Sequence, residues 1–299
     1  MNILPLATRA QIIGLLVEGN SLRAAARLSQ CSLNTVTKLL RDVGAACAEY
    51  QDRHLRNLSC KNVQCDEIWS FIGAKDKNAT PEQKAAGMGD IWTWTAIDAD
   101  TKLCAGWMVG PRNPAAAVEF MQDLAPRFAH RIQLTTDGYR PYVKAVEGAF
   151  GNDIDYARLV KIYATYPFAR ASRPERRYET GECCGAEKHA VCGNPDADKI
   201  STSFVERQNL TMRMSMRRFT RLTNGFSKKV ENHAHAVALH FMHYNFGRMH
   251  KTLKTTPAVA AGVAKAPWTM EQIAALVKTE APAKRGSYKP RHQAEAISN

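Results

Sequence analysis

Residues 63–73 read VQCDEIWSFIG, a run of apolar, β-branched and aromatic side chains broken by two adjacent acids and closed by a glycine. A run of this texture predicts a strand. Asp66 lies in its middle, among Val63, Cys65, Ile68, Trp69 and Phe71. An unpaired carboxylate buried there is costly, and a bound cation would remove the cost. Two further runs, IWTWTAI (91–97) and KLCAGWMVG (102–110), have the same composition and complete a three-strand meander.

Downstream, apolar periodicity predicts a helix over 114–128, RIQLTTDG (131–138) reads as a short strand, and a second helix covers 140–149. YARLVKIY (156–163) is a candidate fifth strand. Residues 164–200, rich in Arg, Glu, Pro, Gly and Cys, read as an insertion or long excursion. Helices follow over about 201–221 and 227–247, then a Pro-marked segment, a short helix near 269–278 and a polar basic tail.

Upstream, three short helices are predicted. Ile12, Leu15 and Leu16 line the first, which Gly19 ends; Ser21 caps the second, with Ala24, Ala25 and Leu28 inward. Ser32 caps the third, with Leu33, Val36, Leu39, Leu40 and Val43 facing the core. Its outward residues are Asn34, Thr35, Thr37, Lys38 and Arg41, polar groups near a helix N-terminus that a helix-turn-helix presents to a major groove. A trihelical bundle without DNA contacts is the plain alternative.

The expected division is a helix-turn-helix domain over 1–45, a linker over 46–61, a catalytic domain over 62–250 with an insertion at about 150–200, and a C-terminal segment over 251–299. The 299-residue chain carries 41 Lys and Arg against 28 Asp and Glu, a formal charge of +13 that suits a polyanion, nucleic acid first. No apolar run is long enough to span a bilayer, and MNILPLATRAQ lacks a signal-peptide pattern. The expectation is a cytoplasmic, nucleoid-associated protein with no membrane partner and reduced cysteines.

Three strands, helix, strand, helix, strand, helix is the element order of RNase H-like, retroviral integrase-type catalytic cores. There, carboxylates from separate elements hold two divalent ions about 3.5–4 Å apart for phosphodiester cleavage. Asp66 in the first strand, Asp137 at the end of the fourth and Glu206 on the late helix sit at the corresponding places, and oxygen ligands suit Mg²⁺ or Mn²⁺. Val205, Met212, Met216 and Phe219 form that helix's apolar stripe, with Glu206 at its border. Arg207, Arg213 and Arg217 are candidates for DNA phosphates. Each acid also has a structural reading: Glu206, among five arginines over 201–221, can be their counter-charge. Glu67, Asp90, Asp98 and Asp100 are alternatives, the last two better explained by the turn in IDADTK. In CCGAEKHAVC, Cys183, Cys184, His189 and Cys192 match no common zinc spacing, and zinc is not expected there.

CDEIWSFIG, TTDGYRPY, SFVERQNLTMRMSMRRFTRLTNGFSKKVENH and HYNFGRMHKTLKTTPA together resemble the DDE transposases of bacterial insertion sequences, most closely the insertion sequence 1 family, over roughly residues 60–260. The resemblance implies an RNase H-like core, Mg²⁺ dependence, and cleavage and strand transfer at transposon ends. It makes Asp66, Asp137 and Glu206 the catalytic acids and Arg213 the basic residue seven positions after the Glu; Asn245, Arg248 and His250 match a wider pattern of less defined role. Two departures stand out: Asp137 and Glu206 are 69 positions apart (206 minus 137), more than in founding members, and no CxxC pair precedes residue 31. The expected partner is double-stranded DNA, transposon ends and target, engaged by a homodimer or larger assembly. A non-catalytic helix-turn-helix regulator and a structure-selective nuclease are the rival readings.

Overall fold

The structure, a computed structural model, describes residues 3–163, 183–220 and 224–277. It is a mixed α/β fold around a six-stranded sheet of order β3-β2-β1-β4-β5-β6. Strands β1 (Asn62–Ile72), β2 (Gly89–Asp98) and β3 (Cys104–Gly110) form an antiparallel meander. β4 (Gln133–Thr136) and β5 (Asp155–Tyr163) add in parallel to β1, and β6 (Cys183–Cys192) returns antiparallel along β5.

The parallel strands need crossovers, supplied by α5 (Pro114–Leu124) and α6 (Pro141–Phe150); the small helix α4 (Pro81–Ala85) lies between β1 and β2. Alternation along β1 then sorts the two faces. Val63 and Cys65, with Trp94, Ala96 and Leu134, pack with Phe120 of α5 and Tyr142 of α6. Ile68 and Ile97 pack on the opposite face with Val205 and Met212 of α7 (Ser203–Ser215) and Val237 and Phe241 of α8 (Val230–Met242). Two short helices close the described chain, α9 (Pro257–Ala260) and α10 (Met270–Ala275).

At the N-terminus lie α1 (Leu6–Val17), α2 (Leu22–Leu28) and α3 (Leu33–His54); α2 and α3 start at the expected caps, where the Ser21 and Ser32 hydroxyls accept from the Ala24 and Thr35 amides at 3.1 Å. Two inward assignments are corrected. Leu28 is 59% and Leu33 40% exposed, and the buried positions around the turn are Ala25, Ala26 and Val36. The third helix also runs through to His54, its second half packed on α8.

Gly44 permits that packing. A Cβ there would fall 2.5 Å from the backbone oxygen and Cβ of His235, a backbone clash that no rotamer relieves. Gly44→Ala is therefore expected to destabilise the fold by about 1–3 kcal/mol in a denaturant titration, although alanine is the better helix former.

The late helices are shorter than the sequence suggests. α7 breaks at Met216, whose φ of −131° and ψ of 110° leave the helical region, and a 3₁₀ turn over Arg217–Phe219 keeps Phe219 buried. α8 ends in a π-turn over His243–Gly247. Residues 183–192, expected within an excursion, are instead the sheet's edge strand; 164–182 lie outside the described residues.

Candidate metal centre

The site arises where the sheet changes width. β4 ends at Thr136, opposite Cys65, whereas β1 continues to Ile72 along β2, its far end also bridged to Ser227. Asp66 and Glu67 are the first residues of β1 past that end, and Asp137 is the first residue to leave β4. Neighbouring strand residues point to opposite faces, so Asp66 turns toward α7 and Glu67 toward α6. With no β4 between them, carboxylate oxygens of Asp66, Glu67 and Asp137 lie within 4.8 Å of one another.

Each acid is held by its neighbours. Asp137 Oδ1 accepts from the Tyr139 amide at 2.9 Å, and Arg158 on β5 donates to the Gly138 carbonyl at 2.6 Å, which fixes the loop. Arg112, stacked over the Tyr139 ring at 3.9 Å, donates to Glu67 Oε2 at 3.1 Å and stands 3.6 Å from Asp137 Oδ2. Asp66 Oδ1 accepts from the Glu67 amide and its Oδ2 from Asn209 of α7, both at 2.8 Å. The Glu67 side chain is 2% exposed, and the carboxylate faces the buried Tyr142 hydroxyl.

Charge is undercompensated here. Burial pushes the Asp66 carboxyl up to about 7, with Glu67 and Asp137 adding repulsion, the Glu67 amide opposing and Glu206 contributing a smaller push. Burial also raises Glu67, against the pull of Tyr142 and Arg112. Arg112 pairs with Glu67 and Asp137, and no cation is shown paired with Asp66 among the described residues. An all-oxygen donor set of this kind fits a hard divalent cation such as Mg²⁺ or Mn²⁺.

The raised value has a measurable sign. Folded Asp66 holds a proton between its ordinary value of 3.8 and about 7, so its contribution to metal-free stability is lost as pH rises through that window. Asp66→Asn should therefore stabilise the metal-free chain at pH 8, by about 1–3 kcal/mol. An amide fits, because Asn209 can turn its unpartnered Oδ1 toward it. Thermal melts at pH 5.5 and 8, with wild type and variant, check the sign: the variant should lose part of the wild-type pH dependence.

Glu206 stands beside this group, outside it. Gln64 of β1 accepts from the Phe204 and Val205 amides at 2.9 and 3.2 Å, tying the start of α7 to the sheet. Thr202 donates to Glu206 Oε1 at 2.6 Å, and Lys161 of β5 holds both carboxylate oxygens at 2.5 and 2.6 Å. α7 touches the acidic cluster through Asn209, one turn beyond Glu206.

The remaining candidates divide. Asn34, Lys38 and Arg41 form an exposed stripe on α3; Thr35 and Thr37 are half-buried, their hydroxyls bonded to Ser32 Oγ and the Leu33 carbonyl at 2.8 Å. Arg207 and Arg217 are exposed, and Arg213 is half-buried and engaged. Asn245 is fully buried and pairs both backbone groups of Cys104 at 2.9 Å, a structural duty beside the β2–β3 bulge. Arg248 reaches Ser215 at 3.4 Å, and His250 packs edge-on against Tyr244 with its pKa lowered to about 4 by burial. Asp98 accepts from Thr101 in the hairpin turn, Asp100 from Asn62, and Asp90 from the Asp76 amide. Cys183 and Cys192 stand at opposite ends of the exposed strand β6, with Cys184 and His189 between.

Sequence reasoning missed Arg112, Asn209, Tyr142, Arg158 and Lys161. Asn209, at i+3 from Glu206 on one helix face, carried a usable signal; the others come from separate elements.

No family model matches the chain. It is similar to protein InsB of insertion element iso-IS1n from Shigella dysenteriae, with 24% identity over 174 residues, 58% of this chain and 88% of that protein. The similarity is distant and partial, and its direction is toward insertion-element proteins. No helix among the described residues is long and apolar enough to cross a membrane.

Proposed function

We propose that the chain is a DNA transposase that binds the ends of an insertion sequence and catalyses divalent-metal-dependent strand cleavage and strand transfer. The observation that carries this reading is the convergence of Asp66, Glu67 and Asp137 where β1 outruns β4. Three antiparallel strands, two parallel strands joined by helical crossovers, and a late helix bringing Asn209 and Glu206 to the same sheet end support an RNase H-like core. The exposed Asn34, Lys38 and Arg41 stripe on α3 supports a helix-turn-helix reader of the ends. The similarity to InsB and the +13 charge point the same way.

In this reading Asp66 and Asp137, with Glu67 or Glu206, hold Mg²⁺ or Mn²⁺. The bound cations supply Lewis acidity for the attacking and leaving oxygens. The chain's own residues set the geometry. Arg112 restrains Glu67 and Asp137, Arg158 fixes the loop carrying Asp137, and Asn209 orients Asp66. Arg207 and Arg217 offer cations to the DNA backbone. Two ends must be joined, so at least a dimer is expected. A non-catalytic regulator has no use for three acids that converge on one point.

The test is the purified chain with DNA carrying its native flanks, in Mg²⁺ and in chelator. A transposase nicks the ends and yields joined strand-transfer products in Mg²⁺ only. Cutting without joining indicates a nuclease, and binding without cutting indicates a regulator.

A further inference from the structure

We propose that Lys161 is the resident counter-ion of Glu206 in the metal-free chain, and that it passes to a DNA phosphate oxygen when Glu206 turns to a bound cation. This rests on the function proposed above. The pair is two-pronged, at 2.5 and 2.6 Å, and joins elements 45 positions apart in sequence. Its location is specific. The last β4–β5 pair is Thr136 with Arg158, so Lys161 lies three residues further along β5, about 10 Å past the end of β4. That is the end of the sheet at which Asp137 emerges.

Glu206 is near enough to Asp66 for its charge to be felt there, yet its oxygens are taken up by Lys161 and Thr202. A lysine suits temporary occupation. Its ammonium is a compact point charge on a flexible stem, and the pair is partly exposed, with 30% and 41% of the side chains accessible. Such pairs are worth at most about 1 kcal/mol, so a divalent ion with several carboxylates can displace the ammonium. Once displaced, the amine stands beside the cluster with a charge that matches a phosphodiester.

The experiment uses the full chain with Lys161→Met and Lys161→Arg. Mn²⁺ is titrated without DNA and free ion is followed by electron paramagnetic resonance; cleavage is then measured against DNA concentration. Lys161→Met should bind Mn²⁺ about two- to fivefold more tightly, since a competitor worth up to about 1 kcal/mol is gone. Its KM for DNA should rise with a smaller change in kcat, and the salt slope of DNA binding should fall by about one. Lys161→Arg should stay near wild type in KM. Unchanged or weaker Mn²⁺ binding in Lys161→Met, or an unchanged KM, overturns the proposal. Absence of saturable Mn²⁺ binding in the wild type overturns the functional reading and this inference with it.

Discussion

Asp137→Asn is expected to reduce end cleavage and strand transfer by about 10²–10³-fold, the scale on which loss of one preorganised electrostatic group slows a charge-stabilised reaction. The fold should survive. The contact that shapes the loop is the Tyr139 amide to Asp137 Oδ1, and an asparagine carbonyl accepts that bond equally well. What is lost is the charge shared among Asp66, Glu67 and Asp137, and with it the second oxygen able to ligate. A donor plasmid carrying the gene in its native flanks reads the result: movement with the wild type and none with the variant. Equal movement would remove Asp137 from the mechanism. An unchanged melting profile would show that the loss is chemical.

The largest loss of stability is expected from Trp94→Ala. Trp94 is fully buried and lies opposite Glu67 in the β1–β2 register. Its ring meets Phe120 at 5.9 Å, Tyr139 at 6.2 Å and Tyr142 at 5.6 Å, and its Nε1 donates to the Pro111 carbonyl at 3.2 Å. Truncation opens a cavity between the sheet and the α5–α6 layer, at a cost of about 3–5 kcal/mol. The same rings flank the metal centre: Tyr139 carries Arg112 on its face, and Tyr142 faces Glu67. The variant should therefore show a lower denaturant midpoint and weaker Mn²⁺ binding together, whereas Gly44→Ala, which disturbs the contact of α3 with His235 of α8, should lower only the midpoint.

Much of the fold was legible in the sequence because β1 and β2 are dense in β-branched and aromatic residues, and all three strands of the meander are bounded by Gly, Asp or Asn. β6 was not, since CCGAEKHAVC is an exposed edge strand and has no buried face to impose alternation. The second half of α3 read as a transition because GAAC is a run of small residues without a clear apolar face, of which Gly44 serves the close approach to α8. In the site, Asp66 stood out as an acid interrupting the apolar run of β1, and Asp137 as the residue at which the short strand β4 gives way to a loop. The pairing of Glu206 with Lys161, and the entry of Glu67 through the gap beside β4, depend on which strand stops first. That is a property of the assembled sheet, absent from any single segment.

The most direct measurement is a Mn²⁺ titration of the wild-type chain, Asp66→Asn and Asp137→Asn, followed by electron paramagnetic resonance. Saturable binding in the wild type, lost or strongly weakened in both variants while both remain folded, is the predicted result. Binding that is absent from the wild type, or unaffected by either substitution, would contradict a metal centre at the end of β4.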